Sequence, residues 1–267
     1  MGLRRSSEIA SRLRVLDEAV STNDVLTALA AEDVEPDLST VVTLNQTGGR
    51  GRLGRVWVAP KDKALAVSVL LRPVLPAGEP LGVEHFGWLP LIAGVAMSTA
   101  IDAIVGGGRT KLKWPNDVQI DGFKVCGVLA ELLPSADAVV IGAGVNLSLT
   151  ADELPVPTAT SLMLAGVHAT GEELVDVILS DYLTTLEELV TAFLRVGADA
   201  GASGILDLVS EWCSTLGQEV RVHLPGGDDL VGVATGIDAT GRLVVQRTAD
   251  GAVQAVAAGD VTHLRYE

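Results

Sequence analysis

The chain has 267 residues, of which 48% are apolar and 3% aromatic, and a formal net charge of −15. That length allows one large domain, or a large domain with a small companion, around a core built mainly from Val, Leu, Ile and Ala. An acidic balance of this size argues against a general nucleic-acid binder, which is more often basic over a whole face. The first residues, MGLRRSSEIASRLR, are basic but lack the apolar stretch of a signal peptide. Ser21-Thr22-Asn23-Asp24 is a run of N-cap residues, and Val25, Leu26 and Leu29 follow at helical spacing. Thr40 to Leu44 predicts a strand that runs into a glycine-rich loop, and Ala64 to Leu71 a second strand stopped by Pro73. Leu89 to Ile104 suits a buried helix. The apolar stretch Phe86–Ile101 contains Gly87, Pro90 and Gly94, which makes it short and broken for a membrane span. Thr110–Lys113, Lys124–Leu132 and Ala138–Asn146 are candidate strands of one central sheet. Thr170 and Glu173 have capping-box spacing. After them Leu174, Val175, Ile178, Leu179, Tyr182, Leu183, Leu186, Val190, Phe193 and Leu194 keep one helix face apolar.

From about Gly217 the texture changes. Short alternating segments (EVRVHL, LVGVATGI, RLVVQ, AVQAVA, VTHLRYE) are separated by PGGDD, DATG, ADG and AGD. Such a meander predicts a small β-barrel. The expected domains are therefore 1–216 and 217–267. Cys126 and Cys213 stand in no metal spacing and read as reduced thiols of a cytosolic protein.

The charge is uneven. Residues 1–150 hold 14 Lys+Arg and 16 Asp+Glu, whereas 151–267 hold 5 and 18. Nine of the 19 basic residues fall in two short segments, Arg50–Lys63 and Arg109–Lys124. Two cationic islands in an acidic chain point to a discrete anionic ligand.

The first island contains Gly48-Gly49-Arg50-Gly51-Arg52-Leu53-Gly54-Arg55. Residues 49–54 match G-x-G-x-x-G, but a dinucleotide fingerprint needs a helix immediately after it, and Val56-Trp57-Val58-Ala59-Pro60 is extended and then broken by proline. A P-loop needs Gly-Lys-Ser/Thr, and Gly54 precedes Arg55-Val56. A solvated hairpin without a role is the bland alternative. The favoured reading is an anion-binding loop that orders over its ligand: glycines let backbone N–H groups approach oxyanions, and arginines fork onto them. In the second island, Lys111-Leu112-Lys113-Trp114-Pro115-Asn116-Asp117, Leu112 and Trp114 are expected to face the core and the lysines to face outward. Lys124 then precedes an apolar strand with Gly127 inside it, where a ligand or another backbone comes close. Gly142-Ala143-Gly144-Val145-Asn146 repeats that pattern and ends in an amide.

Taken in order, these segments resemble the motifs of the biotin protein ligases. The carriers are Ser21-Thr22-Asn23, Gln46 with the glycine-arginine loop and Trp57, Lys113-Trp114-Pro115-Asn116-Asp117, Lys124 with Gly127 and Glu131, Gly142–Asn146 and Ala159-Thr160-Ser161-Leu162. Gly241-Arg242-Leu243 and Gly259-Asp260-Val261 resemble the family's C-terminal part. The resemblance spans about residues 15 to 266. It implies an α/β catalytic domain of α+β type with a mixed central sheet, followed by a small SH3-like β-barrel.

It also implies a two-step reaction. The biotin carboxylate attacks the α-phosphate of ATP, with Mg²⁺ carried on the phosphates, giving biotinyl-5′-AMP and pyrophosphate. A lysine of a biotin carboxyl carrier domain, of acetyl-CoA carboxylase or a related enzyme, then takes the biotinyl group. By the same resemblance Ser21, Thr22, Asn23 and Gln46 hold the biotin ring and side chain. Gly49, Arg50, Gly51 and Arg52 close over biotin and the acyl-phosphate, while Arg55 and Trp57 serve the nucleotide side. Lys113 neutralises phosphates and Asn116 lies near them. Lys124 holds the reacting carboxylate, Asn146 contacts the nucleotide, and Gly127 and Gly144 make room for the thin bicycle. Lys124, Arg52 and Lys113 are the catalytic candidates. Departures are Leu53, where a basic residue is common, Ala59 for a serine, Cys126 for an alanine, and Phe123 for glycine or a basic residue. About 20 residues precede Ser21, too few for the helix-turn-helix of some members, so no specific DNA binding is expected; the broken apolar stretch and the two thiols give the expectation of a cytoplasmic protein without membrane association, and the family resemblance leaves monomer or homodimer open. The competing readings are a lipoate- or octanoate-transferring relative, a biotin sensor without transfer, and a non-enzymatic anion- or nucleic-acid-binding module.

Overall fold

The computed structural model describes residues 1–32, 35–57, 59–224, 229–257 and 260–264. Val58, most of the expected PGGDD turn, Gly259 and the final RYE lie outside the described residues. In chain order the elements are α1 (Arg4–Ile9), β1 (Arg12–Leu16), α2 (Thr22–Glu32), β2 (Ser39–Thr43), β3 (Gly49–Arg50), β4 (Val56–Trp57) and β5 (Ala64–Leu71). Then come α3 (Trp88–Val105), β6 (Thr110–Lys113), β7 (Asp117–Ile120), β8 (Phe123–Leu132), β9 (Val139–Asn146), α4 (Gly171–Arg195) and α5 (Ile205–Trp212). The C-terminal strands are β10 (Glu219–His223), β11 (Asp229–Ile237), β12 (Leu243–Arg247), β13 (Val253–Val256) and β14 (Asp260–His263).

A seven-stranded sheet runs β1-β2-β5-β9-β8-β7-β6. Only β1 and β2 pair in parallel; the other neighbours are antiparallel, so the sheet is mixed. One face packs on α3 and α4 through Val67, Val69, Ile141, Val145 and Val128. The opposite face carries α2. Residues alternate faces along a strand, so one parity of each strand addresses α2. Under the helix those positions are large: Leu70, Val140 and Leu133 cluster with Leu26 and Val41. Further along the same parity they become small: Ser68 and Ala66 on β5 lie opposite Gly142 and Gly144 on β9, and Gly144 lies opposite Gly127 on β8. The change of residue size along one face leaves a hollow beside α2.

The five C-terminal strands form an antiparallel sheet ordered β13-β12-β11-β10-β14. No closed barrel is formed among the described residues. Two expectations are corrected. Thr170 does cap α4, but its side chain makes no capping hydrogen bond; Gly171 stands at φ +79°, so the chain does not take the path a capping box requires. Glu153, not Glu173, makes such a contact: its carboxylate accepts from the Thr150 N–H (2.9 Å) and hydroxyl (3.1 Å). The segment Val83–Val105 is also long and apolar enough to cross a membrane, yet 67% of its apolar window is buried in the fold. α3 is therefore a core helix, closed on one side by the sheet and on the other by α4.

The helix α4 buries one charge. Asp176 accepts hydrogen bonds from the Arg5 N–H (2.9 Å), the Ser6 N–H (2.9 Å) and the Ser6 hydroxyl (2.7 Å), which docks α1. Burial alone would raise its pKa; the bonds from Ser6 and Arg5 outweigh burial and hold the carboxyl below its ordinary value. A depressed carboxyl stabilises the fold above its unfolded pKa of about 3.9 and loses that contribution as pH falls through the folded pKa. Amide exchange in α1 should therefore accelerate in strong acid before the sheet opens. At neutral pH Asp176→Ala should cost about 2 kcal/mol in urea unfolding, by leaving three donors without their acceptor. Unchanged stability would show that α1 is held by apolar contact alone.

Candidate active site

The hollow is a cavity of about 670 Å³. Its floor is the small-residue stripe of β5, β9 and β8, and its rim brings together segments far apart in sequence. Ser21, Thr22, Asn23, Gln46, Arg50, Gly51, Arg52, Arg55, Trp57, Lys113, Asn116, Lys124, Gly127 and Asn146 all line it. Gly49 does not. A Cβ at Gly49 would stand 2.2 Å from the Gln46 amide nitrogen and 2.4 Å from the Trp57 carbonyl, so it is a packing glycine behind the wall.

Each side chain has a local reason for its place. Ser21 caps α2: its hydroxyl accepts from the Asp24 N–H at 3.3 Å. That start fixes Thr22 and Asn23 over the floor. The Gln46 side-chain carbonyl accepts from the Thr22 N–H (2.9 Å), and the Ser68 hydroxyl donates to the Asn23 side-chain oxygen (2.6 Å). Asn23 in turn donates to Glu131 at 2.6 Å. Lys124 and Gly127 are three residues apart and would face opposite sides of a regular strand. The β7–β8 pairing slips between Val118 and Gln119, leaving Val125 as an extra residue on β8. This bulge turns both Lys124 and Gly127 to the cavity. The Lys124 ammonium lies 2.6 Å from Asp117, and a Cβ at Gly127 would meet it at 3.0 Å.

The glycine-arginine segment is a hairpin. Gly49 pairs with Trp57 and Arg50 with Val56, and a 3-10 turn spans Arg52–Gly54. Leu53 and Gly54 both have left-handed backbone, at φ 58° and 73°, and Leu53 is exposed. The hairpin is tied down by charge: Arg50 contacts Asp24 at 2.6 Å and Glu131 at 3.0 Å. Hydrogen bonds to Asp24 and then Glu131 push the Arg50 pKa further up, so it is a permanent cation. Arg52 donates to the Asn116 side-chain oxygen at 3.1 Å, and Asn116 donates to the Val128 carbonyl at 2.7 Å. Asn146 donates to the Thr160 carbonyl at 2.9 Å. The backbone of Lys124 also binds this returning loop, donating to the Thr158 carbonyl and accepting from the Thr160 N–H, both at 2.8 Å.

Five cationic side chains (Arg50, Arg52, Arg55, Lys113 and Lys124) thus face one cavity, and carboxylates at its edge hold Arg50 and Lys124. Like charges that share one cavity repel, and an anionic ligand would offset that repulsion. Among the described residues no group of three or more His, Cys, Asp and Glu is placed to hold a metal.

The comparisons with known proteins agree with this geometry. Residues 18–146 match the biotin/lipoate A/B protein ligase family, and residues 215–264 match the biotin protein ligase C-terminal domain. The biotin–[acetyl-CoA-carboxylase] ligase of Mycobacterium tuberculosis is 37% identical over 260 residues, covering 95% of this chain and 90% of its own. The chain belongs to the biotin protein ligase family. Solved structures of family members share the fold. The biotin protein ligase of Aquifex aeolicus in complex with biotin and ATP superposes with a TM-score of 0.68, at 27% identity over 94% of this chain and 98% of that one. The Leishmania major ligase in complex with biotinyl-5-AMP gives 0.59, at 26% identity over 93% and 99%.

Within this ligase-family chain the sequence reading missed several contributors. Ser68 orients Asn23, Asp24 anchors Arg50, and Asp117 holds Lys124. Ser68 could have been found as the one hydroxyl in an otherwise apolar strand. Val261 and Thr262 of β14 reach the cavity from the C-terminal sheet, which no local signal announced. The room expected at the floor glycines is also taken: a Cβ at Gly142 would strike Asn23 at 2.3 Å, and one at Gly144 would strike the Trp57 indole at 2.5 Å. These glycines admit the protein's own side chains. Cys126 is buried, and burial pushes its thiol up to about 12, which makes it inert.

Glu131 holds both Asn23 and the hairpin. Such partly exposed pairs are worth about 1 kcal/mol, so Glu131→Ala should speed tryptic cleavage at Arg52 and Arg55 about fivefold under native conditions. Cleavage at the wild-type rate would show that Arg50 does not fasten the hairpin.

Proposed function

We propose that this chain activates biotin with ATP to biotinyl-5′-AMP and transfers the biotinyl group to a lysine of a biotin carboxyl carrier domain, as in acetyl-CoA carboxylase. The observation that carries the reading is the convergence of five cations on a cavity floored by small residues, in a chain belonging to the biotin protein ligases. Adenylation brings a carboxylate against a triphosphate, and fixed cations offset both their repulsion and the charge that develops at phosphorus.

In the first step a biotin carboxylate oxygen bonds to the α-phosphorus and the bond to the β-phosphate oxygen breaks, releasing pyrophosphate. Thr22, Asn23 and Gln46, already fixed by hydrogen bonds, hold the biotin ring end beside α2, with Ser21 supporting them as the cap. Lys124 holds the reacting carboxylate; Asp117, 2.6 Å away, aims its ammonium. Arg50 and Arg52 lie over the acyl-phosphate, and Gly51 between them lets the backbone close in. Lys113, Arg55, Asn116, Asn146 and Trp57 serve the nucleotide end. Mg²⁺ enters as the ATP complex, in keeping with its preference for phosphate oxygens and water over an all-protein cage. In the second step the acceptor amine attacks the anhydride carbonyl, AMP leaves with the bridging oxygen, and the amine proton passes to solvent. The hairpin acts as a lid that keeps water from the anhydride.

The five-stranded C-terminal sheet is proposed to be the SH3-like barrel of the family, with the domains divided at about residue 217. A cytoplasmic monomer or homodimer without specific DNA binding fits this reading.

ATP–pyrophosphate exchange with Mg²⁺ and biotin, lipoate or octanoate in turn tests it. Exchange is expected with biotin alone; exchange with lipoate or octanoate instead would move the chain to the lipoate branch. Lys124→Ala should slow biotin-dependent exchange about 100-fold, the usual scale for losing one electrostatic stabiliser. A rate near that of the wild type would remove Lys124 from the mechanism.

A further inference from the structure

The segment Lys113–Asp117 is a tight hairpin between β6 and β7. Lys113 pairs with Asp117, and the Asn116 N–H donates to the Lys113 carbonyl at 3.1 Å. Its base carries Lys113 and Asn116 on the cavity. Its tip, Trp114-Pro115, points elsewhere: Trp114 is buried, and its indole N–H donates to the Gly241 carbonyl at 3.1 Å. A second tryptophan reaches the same place. The Trp88 indole N–H, at the start of α3, donates to the Ala239 carbonyl at 2.8 Å.

Both acceptors belong to one turn, Asp238–Arg242, which joins β11 to β12. One carboxylate shapes that turn. Asp238 Oδ1 accepts from the Thr240 N–H (2.9 Å), the Thr240 hydroxyl (2.8 Å) and the Arg242 N–H (3.0 Å), and Oδ2 accepts from Arg242 Nε at 2.6 Å. The turn also fits tightly against the start of α3. A Cβ at Gly87 would stand 2.5 Å from the Thr240 carbonyl, and Gly241 has φ +83° with its own Cβ position 3.0 Å from Gly87. The hairpin backbone is also held by the Trp114 N–H on the Thr215 hydroxyl (3.0 Å) and by the Val128 N–H on the Asn116 carbonyl (2.9 Å), so the turn acts on the indole end alone. A cavity of about 510 Å³ lies beside it, lined by Pro115, Asn116, Thr240, Gly241 and Arg242. At its indole end the tip rests on the turn.

We propose that the Asp238–Arg242 turn is a positioning element for adenylation, holding Lys113 and Asn116 at the nucleotide end of the cavity by way of Trp114. The assignment rests on the proposed reaction. It gives the C-terminal sheet a part in the first chemical step at a distance from the substrates: the sheet supplies a fixed carbonyl, the indole transmits its position, and the phosphate-binding residues on either side of Trp114 follow. The biotin ring end is held by Thr22 and Asn23 of α2 and by Gln46, none of which is bonded to the turn, so the two substrates respond differently when the turn is disturbed.

The test compares Asp238→Ala, Asp238→Asn and Trp114→Phe in ATP–pyrophosphate exchange, varying ATP and biotin separately. A misplaced catalytic group costs about tenfold or more, so Asp238→Ala should raise the KM for ATP about tenfold and leave the KM for biotin within about twofold. Asp238→Asn keeps the oxygen that accepts the three turn bonds and loses only the bond from the half-exposed Arg242 side chain, so it should recover most of the ATP affinity that Asp238→Ala loses. Trp114→Phe keeps the ring but loses the donor, and should reproduce the ATP-selective defect. The double variant Asp238→Ala, Trp114→Phe should be little worse than the poorer single one, because both break the same path. Equal damage to both KM values, no damage in Asp238→Ala, or no recovery in Asp238→Asn would each overturn the assignment. Calorimetric ATP titration of the same variants needs no biotin. If exchange proved independent of biotin, the functional reading would fall while an ATP-selective gap between the Ala and Asn variants would still uphold the positioning role.

Discussion

Residue size along one face of the central sheet is the constraint on which the site depends. Where Leu70, Val140 and Leu133 stand, the sheet carries α2. Two residues further along the same strands Ser68 and Gly142 take over, followed by Ala66 and Gly144, and helix and sheet part. A larger side chain at these glycines has no space to occupy: Asn23 already fills the place above Gly142 and Trp57 the place above Gly144. The floor is therefore matched first to the protein's own polar and aromatic side chains, and through them to a ligand.

Charge is the second organising term. The cations that face the cavity would repel one another, and the structure balances this with carboxylates just outside the reacting zone: Asp24 and Glu131 on Arg50, and Asp117 on Lys124. These carboxylates hold the cations extended and aimed. A triphosphate offers more negative charge than they do, so the same cations can turn to substrate without leaving the cavity. Glu131 joins the two ends of the site, because it also accepts from Asn23. The order of the biotin end and the closure of the arginine hairpin thus share one side chain.

The C-terminal sheet is integrated with the catalytic part by specific polar contacts. Two indole donors meet one turn, the Trp114 N–H donates to the Thr215 hydroxyl at 3.0 Å, and Val261 and Thr262 line the cavity itself. Trp114 in particular serves both parts, filling the core while Lys113 before it and Asn116 two residues after it reach the site.

Much of this was legible in the sequence because it rests on short-range physics. Alternation of side chains put Leu112 and Trp114 inside and the lysines outside, the N-cap run announced the start of α2, and the period of α4 marked its buried face. The paired motifs, glycine-arginine loop and Lys113–Asp117, identified the family, and every expected site residue but Gly49 lines the cavity. What the sequence could not decide was long-range. The bulge at Val125 depends on how β8 pairs with β7, and it alone brings Lys124 onto the same face as Gly127. The partners of Arg50 come from α2 and β8, more than 25 and 80 residues away along the chain. The docking of α1 on Asp176 and the reach of β14 into the cavity likewise depend on contacts between distant segments. Local spacing fixes which way a side chain points from its own element; only the packing of elements against one another decides what it meets there.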